Sequence, residues 1–142
     1  SLTSLKINPW LAKDITFMLD NRNLPHLKSI QVDKINGFVL FQPLRPNIEI
    51  QHLKCVKLSD ELRHVIVKSL VVLRTIEISE VDVEDLSWII DNVKTLSRVS
   101  LMCWRNCENL SLYYVQTLHR KLSSENFEDL YRFLTRFKRN HD

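Results

Sequence analysis

Apolar positions recur along this chain in a fixed phrase. Residues 70–78 read LVVLRTIEI and residues 93–101 read VKTLSRVSL. The first sets Leu70, Leu73, Ile76 and Ile78 at apolar positions, and the second sets Val93, Leu96, Val99 and Leu101. The last two of each set are two residues apart, the period of a strand with one face buried. Between the phrases, Leu86, Ile89, Ile90 and Val93 follow one another at helical spacing. A strand, a helix and a second strand of the same pattern form an internal repeat. A repeat of this length predicts a stacked, solenoid-like arrangement.

The phrase recurs upstream. LPHLKSIQV supplies Leu24, Leu27, Ile30 and Val32, and IQHLKCVKL supplies Ile50, Leu53, Val56 and Leu58. Leu2, Leu5 and Ile7 complete a truncated first copy. Read this way, the last apolar positions are Ile7, Val32, Leu58, Ile78 and Leu101, spaced by 25, 26, 20 and 23 residues.

The intervening stretches predict helices. Asn8 and Pro9 fit the N-cap and first position of a helix through Ile15, Met18 and Leu19. Ser59 fits the cap of a helix through Leu62, Val65 and Ile66. Asp82 fits the cap of a helix carrying Leu86, Trp88, Ile89 and Ile90. Residues 33–47 differ: Asn36-Gly37 signals a turn, FVLFQ reads as strand, and Pro43 and Pro46 exclude a helix. That repeat has an irregular outer side, or a hairpin of IQVDKI with FVLFQ. The second option gives the alternative architecture, a compact α+β domain using a 30–42 hairpin.

Beyond Leu101 the pattern becomes helical. Residues 107–122 place Leu110, Tyr113, Tyr114, Leu118 and Leu122 on one side. A last helix, capped by Ser123-Ser124 with Glu125 in its first turn, aligns Phe127, Leu130, Leu134 and Phe137. These two helices predict a cap over the raw end of the repeats. The expected organisation is an α/β fold: a solenoid with parallel strands and outer helices over residues 1–106, and a C-terminal helical cap over 107–142.

Composition narrows the function. A chain of 142 residues can bury a sizeable core, and 44% hydrophobic with 26% charged residues is ordinary for a globular domain. No apolar run reaches the roughly 18 residues of a membrane span. The start, SLTSLKINPW, has no Met, no basic segment and no apolar leader. A piece of a longer chain, without a signal peptide, is expected. Three cysteines, an odd number, point to a reducing compartment, cytoplasmic or nuclear. The net charge of +3 is mild. A single glycine excludes phosphate-cradling and dinucleotide-binding loops, which need several.

The repeated LxxLxxIxI segments resemble leucine-rich repeats over roughly residues 2–104. The Asn or Cys that family places three residues after the strand is replaced by Trp10, Ile35, Glu61, Val81 and Trp104. The period and helical outer sides are similar to the repeats of F-box substrate receptors and of mRNA-export factors. The stretch IEISEVDVEDLSWIIDNVKTL also resembles the FTH-type substrate domain of nematode F-box proteins. The resemblance implies protein binding through the strand face.

Candidate chemistry is sparse. Cys103, Cys107 and His119 approach a zinc-finger spacing, but the second histidine of that pattern is missing: residues 123–125 are Ser, Ser and Glu. The cysteines, Cys55 included, read as packing or surface residues. Asp82, Glu84 and Asp85 sit at a predicted helix start, where acidic groups favour the dipole. No serine sits in a nucleophile elbow. His26, His52 and His64 have no partner at metal spacing. Arg132, Arg136, Lys138 and Arg139 could touch phosphates but also suit the last turn of a helix, the reading preferred, and Tyr113, Tyr114 and Tyr131 could stack bases but fall at packing positions. The expectation is a non-enzymatic chain with no metal and no cofactor.

The strand row is the candidate surface. With alternate positions inward, Lys6, Gln31, Lys57, Glu77 and Ser100 point outward, with Ser4, Ser29, Cys55, Thr75 and Arg98 beside them. The expected partner-binding residues are Lys6, Gln31, Lys57, Glu77, Arg98 and Ser100. This strip mixes charges, which favours a protein partner over nucleic acid. The function expected is partner recognition in an F-box type ubiquitin-ligase receptor. The alternative is an RNA-binding or mRNA-export adaptor.

Overall fold

The structure, a computed structural model, describes residues 3–7, 10–11, 19–20, 22–32, 35–36, 45–104 and 112–121. The fold is α/β. Five strands form one open parallel sheet: β1 (Ser4–Ile7), β3 (Ser29–Val32), β5 (His52–Cys55), β6 (Thr75–Val81) and β7 (Arg98–Trp104). They lie side by side in chain order. A second, small parallel pair joins β2 (Trp10–Leu11) to β4 (Ile35–Asn36). Three helices follow among the described residues: α1 (Asp60–Lys68), α2 (Val83–Asn92) and α3 (Leu112–Lys121).

One backbone motif sets the register. The carbonyl before each strand accepts two N–H groups from the next copy: Thr3 from Lys28 and Ser29, Lys28 from Gln51 and His52, Gln51 from Arg74 and Thr75, Arg74 from Ser97 and Arg98. The accepting residues step by 25 and then by a constant 23. Three rows of inward side chains stack under the sheet in the same register. Leu27, Ile50, Leu73 and Leu96 form the first, and Ile30, Leu53, Ile76 and Val99 the second. Val32, Cys55, Ile78 and Leu101 form the third, and all twelve are buried. Fully burying one Leu or Ile contributes about 1.5–3 kcal/mol, so these rows are the main force holding the strands in order.

The third copy is where the expected register fails. Its strand is His52–Cys55, with Leu53 and Cys55 inward, not the segment ending at Val56 and Leu58. The apolar phrase is displaced by three residues: Asn47, Ile50, Leu53 and Cys55 occupy the places of Leu70, Leu73, Ile76 and Ile78. Asn47 is buried although polar, because its side-chain amide and its backbone N–H are hydrogen-bonded. Its amide donates to the Leu19 carbonyl at 2.7 Å, its oxygen accepts from the N–H groups of Glu49 and Ile50, and its backbone N–H donates to the Ser69 carbonyl. The correction regularises the chain. Val32, Cys55, Ile78 and Leu101 are 23 residues apart.

The same shift moves one of the five positions that replace the family's Asn or Cys, from Glu61 to Leu58. Trp10 pairs with Ile35 and Val81 with Trp104, and Leu58, 23 residues before Val81, is buried. The sequence of this row then reads Trp, Ile, Leu, Val and Trp, of which Leu58 and Val81 are buried.

Helices α1 and α2 begin where their caps predict. The Ser59 hydroxyl accepts from the Leu62 N–H, and Asp60 and Glu61 occupy the first turn. Asp82 and Asp85 exchange hydrogen bonds with each other's backbone N–H, a capping box. Leu62, Val65 and Ile66 of α1, and Leu86, Ile89 and Ile90 of α2, are buried against the sheet. The helix expected from Pro9 does not start there. Trp10–Leu11 is a strand paired with Ile35–Asn36, and helical structure is described only at Leu19. The β-favouring Trp10 and a strand partner outweigh the Asn-Pro cap signal.

The described strands are all parallel, whereas the alternative α+β domain used a 30–42 hairpin. The FVLFQ segment of its hairpin lies outside the described residues, as does the expected C-terminal helix with Phe127, Leu130, Leu134 and Phe137. Of the expected 107–122 helix, Leu112–Lys121 is described, packed on α2 and β7 with Leu118 fully buried.

Candidate functional site

Outward side chains of the five strands line an open groove of about 400 Å³ across the sheet face. Two rows build it. Ser4, Ser29, His52, Thr75 and Arg98 are register partners in the first, and Lys6, Gln31, Lys54, Glu77 and Ser100 in the second. They face out because their neighbours Ile30, Leu53, Ile76 and Val99 fill the core, and alternation along a strand is strict. A third outward set follows toward the strand ends, where Ser79 and Met102 approach at 4.0 Å between oxygen and sulfur. Met102 there is 69% exposed, and Val56, after β5, is 40% exposed.

Five of the six expected site residues meet in this groove: Lys6, Gln31, Glu77, Arg98 and Ser100. Lys57 does not. It is exposed at the bend past β5, and Lys54 takes its place between Gln31 and Glu77. Cys55, expected beside the strip, is buried, and His52 stands there instead, its Nδ1 in contact with the Thr75 hydroxyl. The sequence reading missed Lys54 and His52 because it placed the strand three residues late. A constant 23-residue step, counted back from Ile78, would have found them.

The charges are unevenly compensated. Outside the groove, Arg22 pairs with Asp20, Lys28 with Glu49, and Arg63 with Asp85 and Glu84. Inside it, Lys6, Lys54 and Arg98 have no ion pair among the described residues, and neither has Glu77. The groove therefore presents three uncompensated cations against one carboxylate. None of its lining residues among those described is Phe, Tyr or Trp.

A second polar cluster ties α1 to α2. Arg63 on α1 meets the buried Asp85 carboxylate at 2.5 Å and lies 5.3 Å over the Trp88 ring. Burial pushes the Asp85 carboxyl above its ordinary value, opposed by the Asp82 N–H and by Arg63. Its nearby acids serve the helix cap, as expected of Asp82 and Asp85, so this cluster joins the two helices. Its contact with Arg63 was not foreseen, because nothing in the spacing of residues 63 and 85 announces it.

The remaining candidates scatter. His26 and His64 are exposed and apart from the groove. Tyr113 is exposed, and the Tyr114 hydroxyl donates to Asp91 at 2.9 Å. The side chains of Cys103, Cys107 and His119, and the basic run with Arg132, Arg136, Lys138, Arg139 and Tyr131, lie outside the described residues. Among the described residues no group of three or more His, Cys, Asp and Glu could hold a metal ion. None of the described helices is long and apolar enough to cross a membrane. Compared with protein-family models, curated proteins and solved structures, the chain matches none.

Proposed function

We propose that this chain is a non-catalytic protein-recognition module, built as a short leucine-rich-repeat-like solenoid. Its groove holds part of a partner protein. The role that best suits it is the partner- or substrate-recognition domain of an F-box type ubiquitin-ligase receptor, working inside the cell in the cytoplasm or nucleus. The observation that carries the reading is the in-register polar groove across five strands. A rigid parallel sheet fixes the spacing of its outward side chains, which recognition of a particular partner requires. The exposed Met102 and Val56 beside the charged rows supply apolar contact area of the kind that interfaces use.

The alternative, an RNA-binding or mRNA-export adaptor, draws on the uncompensated cations. Glu77 among them favours a protein, as does a lining in which, among the described residues, no aromatic ring is present for base stacking. A photo-crosslinking residue at Ser29 or Ser100, with a control at His64 on α1, tests the reading. The expected result is a protein adduct from the groove positions only, identified and then bound again as purified protein. RNA adducts, or equal yield from His64, reject it. Removing the receptor should also raise the steady-state level of that partner; an unchanged level rejects the ubiquitin-ligase role.

A further inference from the structure

We infer that the groove takes an extended acidic peptide segment whose carboxylates recur about every third residue. The inference rests on the protein-recognition reading above and names the chemistry of the partner. Lys6 and Lys54 lie in one row, separated by β3, so their strands stand about 9.6 Å apart at the usual ~4.8 Å spacing. Lys54 and Arg98 are also separated by a single strand, β6, with Arg98 offset by two residues along its strand. That places the second step at about 10–12 Å. A chain in the extended polyproline II conformation advances about 3.1 Å per residue with about three residues per turn, so residues three apart share one face and lie about 9.3 Å apart, close to each step. Carboxylates at such positions meet Lys6, Lys54 and Arg98 in turn.

The charge pattern selects this ligand. Lys6, Lys54 and Arg98 bring three cations together in one groove, and none of the three has an ion pair among the described residues. Gln31, Ser29, Thr75 and Ser100 add hydroxyl and amide groups that can bond a peptide backbone crossing above them. Glu77 lies next to Lys54 in the row and sets the limit on negative charge. It repels an unbroken run of phosphates or carboxylates and tolerates acids with neutral or basic residues between them. A spaced acidic segment satisfies both signs.

The test is selection of short peptides from an unbiased displayed library on the whole 142-residue chain. Winning sequences are synthesised and measured by fluorescence anisotropy against wild type, Lys54→Glu, Arg98→Glu and Lys57→Glu. The inference requires acids at a three-residue spacing. Binding should weaken about tenfold in Lys54→Glu and in Arg98→Glu and stay within about twofold in Lys57→Glu. All three positions are exposed, and circular dichroism checks that each variant folds. Winners that depend on Lys54 but carry no such acids overturn the acidic-segment inference and leave the groove reading standing. Winners indifferent to both groove variants overturn the groove reading itself. Tighter binding of single-stranded polyuridine than of any selected peptide overturns the inference in favour of nucleic acid.

Discussion

The side chain of Asn47 donates to the backbone carbonyl of Leu19 at 2.7 Å, across 28 residues of sequence and within the core. The same side chain accepts from the N–H groups of Glu49 and Ile50, and its own N–H reaches Ser69. The Asn47 side chain thus joins the chain at Leu19, before the second copy, to the start of the third copy, and its backbone N–H joins that start to the end of α1. Replacing Asn47 with Ala strands one carbonyl and two N–H groups. Each buried orphan costs about 1–3 kcal/mol, partly offset by relaxation, so Asn47→Ala should destabilise by about 2–4 kcal/mol in urea unfolding. Asn47→Leu, which restores the apolar phrase, should do no better. A Leu variant as stable as wild type would mean that the network contributes nothing.

Asn47 also shows why the sequence misled at one place and informed at the rest. Copies built from Leu, Ile and Val announced their strands, and β3, β6 and β7 fall where the alternation of apolar residues predicts. In the third copy the first apolar place holds Asn47 and the last holds Cys55. Val56 and Leu58, which sit three residues later, mimic the phrase by chance. Of the groove, the residues on the well-marked strands were legible, and those on β5 were not. Tertiary pairs such as Arg63 with Asp85 leave no periodic trace at all.

Register in β5 can be read by substitution. Cys55 is 1% exposed and Val56 is 40% exposed. An aspartate at position 55 would bury a charge among Val32, Leu53 and Ile78, whereas one at 56 reaches water. Cys55→Asp should abolish cooperative thermal unfolding, and Val56→Asp should stay within about 1 kcal/mol of wild type. The opposite ranking would restore the later strand placement.

Acid should act on Asp20. The Arg22 guanidinium and the Arg22 backbone N–H hold its carboxyl at about 2, below the usual 3.8. A depressed carboxyl gives stability that is full above the unfolded value and is lost as pH falls from 3.8 toward 2. Because the pair is exposed, the effect is best followed by carbon-detected NMR of the carboxyl group. Arg22→Ala should raise the Asp20 midpoint, yet leave it below 3.8, since the backbone N–H remains. An unmoved midpoint would deny the guanidinium its role.

Tyr114 and Leu118 decide how α3 is held. Leu118 is fully buried and Tyr114 reaches Asp91 on α2 at 2.9 Å. Leu118→Ala should cost about 2–5 kcal/mol, the range for a large core truncation. Tyr114→Phe should destabilise far less than Leu118→Ala, since it removes one surface-accessible hydrogen bond. Asp91 raises the Tyr114 phenol above its usual value, and Asp91→Asn should lower it again in an ultraviolet titration. If Leu118→Ala unfolds with wild-type stability, α3 is not part of the cooperative core.

The ion pair between Arg63 and Asp85 should have the reverse pH signature of Asp20. Burial raises the Asp85 carboxyl, so the native state holds that proton more tightly than the unfolded chain does. By linkage, its contribution is most favourable below the unfolded value of 3.8 and declines as pH rises through the higher folded value. Arg63 limits that decline, because its guanidinium lies 2.5 Å from the carboxylate. Removing it in Arg63→Ala leaves a buried charge with no cation, and also strips the contact over Trp88. Breaking a buried pair costs about 3–5 kcal/mol, and the 16% exposure of Arg63 reduces this to about 2–3 kcal/mol at neutral pH. Below the unfolded carboxyl value Asp85 is neutral in both states, and most of that cost should vanish, leaving only the ring contact. Urea unfolding of both proteins at neutral pH and near pH 3.5 measures the difference. A penalty independent of pH would show that Arg63 acts through packing on Trp88 and that its charge is of no consequence.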